Sequence, residues 1–161
     1  MTRPLAETVI RSAAAQGLRI ALAESCTGGM LAAALTDVAG SSAVFERGYV
    51  TYSNAAKEQA LGVSAETLAA HGAVSEPVAR AMAEGARSAA GVEISLSITG
   101  VAGPGSSDRK PEGRVCFGLA RPGAPTVTST RDFGPLGRDG VRRASVAEAL
   151  RMLAEALAQR R

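Results

Sequence analysis

The sequence predicts an α/β fold: a three-layer α/β/α sandwich around a mixed, mostly parallel five-stranded sheet. Two observations carry this expectation. Five short apolar segments alternate along the chain with stretches of helical periodicity, the order that covers both faces of one sheet with helices. The link between the last two apolar segments is too short for a crossover, so those strands form a hairpin and the sheet is not wholly parallel. With 161 residues, 46% of them hydrophobic and 20% charged, one domain over 1–161 buries a core without disulfide or metal.

Each element has a local cause. Pro4 opens a helix with Leu5, Val9 and Ala13 on one face, and Gly17 ends it. Ile20-Ala21-Leu22-Ala23 is a short buried-type strand. After Glu24-Ser25-Cys26-Thr27-Gly28-Gly29 comes a helix with Leu31, Ala34, Leu35 and Val38 at i, i+3, i+4 and i+7. Residues 43–52 are strand-like, and Ser53 or Asn54 caps a helix that stops near Gly62. Ser64 starts a shorter helix ending at His71-Gly72. Ser75-Glu76-Pro77 starts another, with Val78, Ala81, Met82 and Ala89 on a shared face. Ile94, Leu96 and Ile98 alternate with Ser95 and Ser97 in a strand ending at Thr99-Gly100. A long loop over 103–114 precedes strands at 115–120 and 126–133. A final helix from about Arg138 carries Val146, Ala149, Leu150, Leu153 and Leu157 on one face.

Composition removes several function classes. No run of 18 apolar residues is present to span a membrane, and the N-terminal stretch lacks the apolar core of a secretory signal. Two cysteines make no disulfide framework and suit a reducing, cytoplasmic compartment. Net charge is only +3, Trp is absent and Tyr plus Phe total five, so no nucleic-acid stacking platform is expected. Basic residues are scattered, apart from Arg142-Arg143 and Arg160-Arg161. No Cys/His/Asp/Glu cluster has metal-ligand spacing. The basic set holds 16 Arg and two Lys, Lys57 and Lys110. Arg keeps its proton at working pH and cannot act as a base, so the two lysines stand out.

In sheets of this kind ligands bind beyond the carboxyl ends of strands. Residues 24–29, 52–57 and 99–105 fall there. Ser25 follows a strand and precedes Gly28-Gly29, which puts a hydroxyl beside unpaired amides suited to an oxyanion or a phosphate. Ser25 or Thr27 is equally readable as a helix cap. The lone histidine, His71, reads as a helix C-terminal residue, which leaves a Ser-His-Asp triad with weak support. Lys57, in the first turn after Tyr52, is the better base, with the Tyr52 phenol placed to relay or orient its proton. A surface lysine has the same spacing. Cys26 is a rival nucleophile, or a small buried side chain. Cys116 is mid-strand. The turn at 99–105 resembles a phosphate-cradling loop but lacks P-loop residues. Arg138 and Arg142, four apart on one helix, face one side to grip an anion or to meet solvent.

Three ordered motifs carry a resemblance: Ala23-Glu24-Ser25-Cys26-Thr27-Gly28-Gly29, Tyr52-Ser53-Asn54-Ala55-Ala56-Lys57, and Thr99-Gly100-Val101-Ala102-Gly103-Pro104-Gly105. With Gly48-Tyr49-Val50, Gly72-Ala73-Val74-Ser75 and Lys110-Pro111-Glu112-Gly113-Arg114-Val115, they resemble the CinA carboxyl-terminal domain family, the nicotinamide-mononucleotide amidohydrolases. The similarity runs from about Leu5 to Leu157. It implies an α/β/α fold and cofactor-free hydrolysis of the carboxamide of nicotinamide mononucleotide to nicotinate mononucleotide and ammonia. In this resemblance Ser25 is the nucleophile, Lys57 the base and Tyr52 its assistant. Amides near Cys26, Thr27, Gly28 and Gly29 are the oxyanion donors. Thr99, Gly100, Gly103 and Gly105, with Arg138 or Arg142, hold the phosphate and ribose. The sequence departs from the family pattern at Gly137, just before Arg138, and in Ser106-Ser107-Asp108-Arg109. Many relatives carry a further amino-terminal domain for which this chain is too short, so the stand-alone form is expected. The expected partner is a small pyridine nucleotide, with no nucleic acid and no membrane, in a homo-oligomer, a dimer. A nucleotide-sensing module without catalysis is the alternative.

Overall fold

The computed structural model describes residues 2–107 and 109–159. Asp108 of the atypical loop and the terminal pair Arg160-Arg161 lie outside the described residues. A five-stranded sheet runs in the order β2-β1-β3-β4-β5, formed by β1 (Ile20–Glu24), β2 (Phe45–Val50), β3 (Ile94–Gly100), β4 (Arg114–Ala120) and β5 (Val127–Asp132). β1 pairs in parallel with β2 and β3, whereas β4 pairs antiparallel with both β3 and β5. Four strands therefore share one direction and β4 alone opposes them. The β4–β5 hairpin matches the short link. The β3–β4 reversal has a different cause: no helix lies between these strands, and a parallel return needs a crossover.

Helices α1 (Arg3–Gln16), α2 (Met30–Thr36) and α6 (Gly137–Ala158) pack on one face of the sheet, and α3 (Asn54–Leu61), α4 (Ala65–His71) and α5 (Glu76–Ala90) on the other. Their ends follow the caps in the sequence. The side chains of Ser53, Ser64 and Ser75 accept hydrogen bonds from the amides of Ala56, Thr67 and Val78. Boundaries differ from the expected ones by small steps. Residues 41–43 form a 3₁₀ turn ahead of β2, and Val38 is buried just past the end of α2.

The two faces of the sheet are chemically distinct. Ile20, Leu22, Leu96, Ile98, Phe117 and Leu119 meet Val9, Leu31, Leu35, Leu150 and Leu153 in the larger core. Burial of side chains this large is the main stabilising term, about 1.5–3 kcal/mol each. Toward α5 the strands present small residues instead, and Ser95 and Ser97 are fully buried there. Their hydroxyls donate to the carbonyls of Ala83 and Ala79 at 2.5 and 2.6 Å. The buried stripe of α5 is Val78, Ala79, Met82, Ala83 and Ala86. Ala89, expected on that face, is exposed. A Cβ on Gly85 would overlap the carbonyl of Leu61, so α3 and α5 meet backbone to backbone at that point.

Candidate active site

The carboxyl ends of β1, β2 and β3 open into a cavity of about 410 Å³. All three motifs reach it: Ser25 and Cys26 from the first, Tyr52, Ser53, Asn54 and Lys57 from the second, Thr99 to Gly105 from the third. Arg138 closes one side. Thr27, Gly28, Gly29 and Arg142 do not line it. Ala73, Val74, Ser106 and Ser107 do; the first two lie in the Gly72–Ser75 motif and the last two in the loop that departs from the family pattern, and none was expected to line the site.

Ser25 sits where β1 ends, its amide bonded to the Ile98 carbonyl at 2.9 Å. Lys57, on α3, is 1% exposed. Its Nζ lies 3.1 Å from Ser25 Oγ, 3.0 Å from the Thr51 carbonyl and 3.2 Å from the Tyr52 carbonyl. This set has a chemical consequence. A neutral amine has two N–H donors and one lone pair; two carbonyls can only accept, while a hydroxyl can donate. As an ammonium Lys57 donates to all three oxygens; once neutral, its two N–H groups can stay on the carbonyls, which leaves the lone pair toward Ser25 Oγ.

Tyr52 enters this arrangement through its backbone. The residue is 60% exposed, and its phenol accepts a hydrogen bond from Arg138 Nη2 at 2.8 Å. The phenol therefore belongs to the rim, and the carbonyl is the part of Tyr52 that meets Lys57. Arg138 Nη1 also donates to the Gly103 carbonyl at 2.7 Å. Glu112 braces the same loop from behind, accepting the Gly105 amide at 2.6 Å. Thr99 is buried, and its hydroxyl donates to the Ala73 carbonyl at 2.9 Å.

A residue that the motif reading passed over holds the nucleophile turn. Glu24, the last residue of β1, is 1% exposed. Its carboxylate accepts from Thr27 Oγ1 at 2.7 Å and from the amides of Leu31 and Ala32 at 3.0 and 2.9 Å. It thus caps α2 from outside the helix and satisfies amides that would otherwise be orphaned. Those two amides are taken, so that helix end does not offer them to a phosphate. The signal was present: an acid at the end of an otherwise apolar strand must find donors if it is buried. Gly28 and Gly29, at φ +56° and +103°, make the turn between Glu24 and α2, a backbone course that other residues rarely follow.

Cys26 is also buried. Burial pushes its thiol up to about 11, so at neutral pH the protonated, weakly nucleophilic form prevails. His71 ends α4 and does not line the cavity; its carbonyl accepts from Lys110 Nζ at 3.4 Å. Among the described residues no three His, Cys, Asp or Glu side chains gather as a metal-binding group, and no helix is long and apolar enough to cross a membrane.

Comparison with known proteins agrees with this architecture. A nicotinamide-nucleotide amidohydrolase, PncC, of Escherichia coli (strain K12) is 51% identical over 150 residues, 92% of this chain and 90% of that protein. A CinA-like protein of Anaeromyxobacter dehalogenans (strain 2CP-C) is 54% identical over 154 residues, but the chain spans only 37% of that relative's length. The crystal structure of a competence damage-inducible protein A (ComA) from Klebsiella pneumoniae superposes with a TM-score of 0.94 at 41% identity, covering 99% of both chains. The family model for the CinA C-terminal domain matches residues 2–157, and the chain belongs to that family.

Proposed function

We propose that this cavity hydrolyses the carboxamide of nicotinamide mononucleotide, releasing nicotinate mononucleotide and ammonia by a Ser–Lys mechanism. The observation that carries the reading is the buried 3.1 Å contact between Lys57 Nζ and Ser25 Oγ, completed by two carbonyls. Similarity to the amidohydrolase of Escherichia coli along almost its whole length supports the substrate class.

In the first step neutral Lys57 takes the Ser25 proton as Oγ bonds to the amide carbon. The oxygen of the tetrahedral species takes up negative charge, which the Cys26 amide stabilises. Collapse breaks the C–N bond, and Lys57 returns its proton to the departing ammonia. Water then attacks the acyl-serine, again with Lys57 as base, and frees the carboxylate and Ser25. Bulk along the 99–105 loop orients the nucleotide, and Arg138 is the cation for its phosphate. The Arg138 partners, a phenol and a carbonyl, are both exchangeable for phosphate oxygens. The reading needs no cofactor. It also carries a single domain, a cytoplasmic location and a homodimer, the last of which light scattering on the purified protein tests.

Ammonia release from nicotinamide mononucleotide is the decisive assay. Turnover by wild type that disappears in Ser25→Ala and in Lys57→Ala upholds the proposal. Tight nucleotide binding without release assigns the chain to sensing instead.

A further inference from the structure

Arg138 and Arg142 sit one turn apart on α6 and turn opposite ways. Arg138 reaches over the cavity. Arg142 turns under it: Nε donates to the Cys26 carbonyl at 3.1 Å and Nη2 to the Thr27 carbonyl at 3.3 Å. A Cβ built on Gly28 would lie 3.4 Å from Nη2, so the guanidinium rests against the backbone of the nucleophile turn.

In a trans peptide the carbonyl and the next N–H point to opposite sides of the chain. Two adjacent carbonyls drawn to one guanidinium therefore fix two successive peptide planes. The N–H groups of Thr27 and Gly28 then face away from Arg142. The Gly28 amide folds back to the Ser25 carbonyl at 3.1 Å, which couples the pinned turn to the nucleophile's own residue. Among the described residues, the amides of Cys26 and Thr27 have no backbone acceptor. A planar fork of donors can hold two carbonyls at once, whereas a single ammonium on a flexible stem cannot impose the same geometry.

We infer that Arg142 is a positioning residue for amide hydrolysis: by pinning the turn whose Gly28 amide holds the Ser25 carbonyl, it fixes the Ser25–Cys26 peptide so that the Cys26 amide meets the tetrahedral oxyanion, and it does not touch the substrate. The inference rests on the amidohydrolase reading of the cavity. It departs from the phosphate-gripping role that the sequence spacing suggested for Arg142.

The test compares wild type, Arg142→Lys, Arg142→Ala and Arg138→Ala for ammonia release from nicotinamide mononucleotide, with kcat and KM resolved. In parallel, a fluorophosphonate probe labels Ser25, with Ser25→Ala as the blank. Arg142→Lys is expected to lower kcat by about 10- to 100-fold, with KM within about twofold of wild type. It is expected to slow labelling by a similar factor while keeping the wild-type melting temperature. A raised KM with kcat retained makes Arg142 a substrate anchor and overturns the inference. So do unchanged kcat and labelling, or loss of folding in both Arg142 variants, which assigns the residue to stability. If Arg142→Ala alone unfolds, Arg142→Lys decides. Should wild type release no ammonia, the substrate reading fails, and labelling decides the inference alone. Slower labelling in Arg142→Lys then upholds it; equal or absent labelling sinks it.

Discussion

The inner end of the cavity and its outer rim are built on different principles. At the inner end Ser25, Lys57 and Glu24 are all buried, and they bond to backbone groups, to one another and to the buried Thr27 hydroxyl. At the rim the Tyr52 phenol, Arg138 and the loop from Pro104 to Ser107 are exposed. Rim hydrogen bonds can be exchanged for bonds to water or ligand at little net cost, whereas a buried group left unpaired loses about 1–3 kcal/mol. The inner end is thus preorganised for chemistry, and the rim is free to rearrange around a substrate.

That contrast can be broken most severely at its centre. Ser25→Ala and Lys57→Ala are each expected to cut ammonia release by roughly 10³-fold or more, as removal of one member of a cooperative pair does. Glu24→Ala leaves two helix amides and a threonine hydroxyl without their acceptor. It is expected to cost on the order of 3 kcal/mol, read as a melting temperature about 6–12 °C lower. Glu24→Gln, keeping one carbonyl oxygen, should lose less. At the rim, Arg138→Ala is expected to raise KM by about tenfold with kcat changed less than threefold, the signature of lost ground-state binding to an anion.

Two smaller effects sharpen the boundary between the regions. Tyr52→Phe removes the phenol and keeps the carbonyl that meets Lys57, so kcat should fall less than about fivefold; a proton relay through the phenol would cost about 10²-fold or more. Cys26→Ala should leave turnover within about twofold of wild type. Iodoacetamide should modify Cys26 slowly at pH 8. With the thiol raised to about 11, its thiolate grows only as pH climbs toward that value, so labelling must accelerate across the alkaline range.

Much of this organisation was legible in the sequence, for identifiable reasons. Ser53, Ser64 and Ser75 mark helix starts because a short side-chain oxygen satisfies an orphan amide, and each does so here. The three motifs at strand ends converge because strands of common direction deliver their loops to one edge. What stayed hidden depends on contacts between distant segments. The alternation of Ser95 and Ser97 with Ile94, Leu96 and Ile98 gives the strand, but not that both hydroxyls are buried against α5. Spacing places Arg138 and Arg142 on one side of α6; only packing turns one outward and the other beneath the turn. Tyr52 was visible as a phenol, and its contribution to Lys57 is a carbonyl, which any residue would carry.

The seam at Gly85 bears on how this protein can be engineered. Exchanging glycine for alanine inside a helix ordinarily gains about 0.5–1 kcal/mol, so a propensity table would nominate Gly85 among the first substitutions to try. Here the added methyl would wedge α3 away from α5 at Leu61, one turn beyond Lys57 on the same helix. The seam works as a spacer gauge: the width of a gap in the outer layer sets the reach of an amine across the cavity floor. A selection for heat resistance and a selection for turnover would both keep glycine at this position, against its helix propensity.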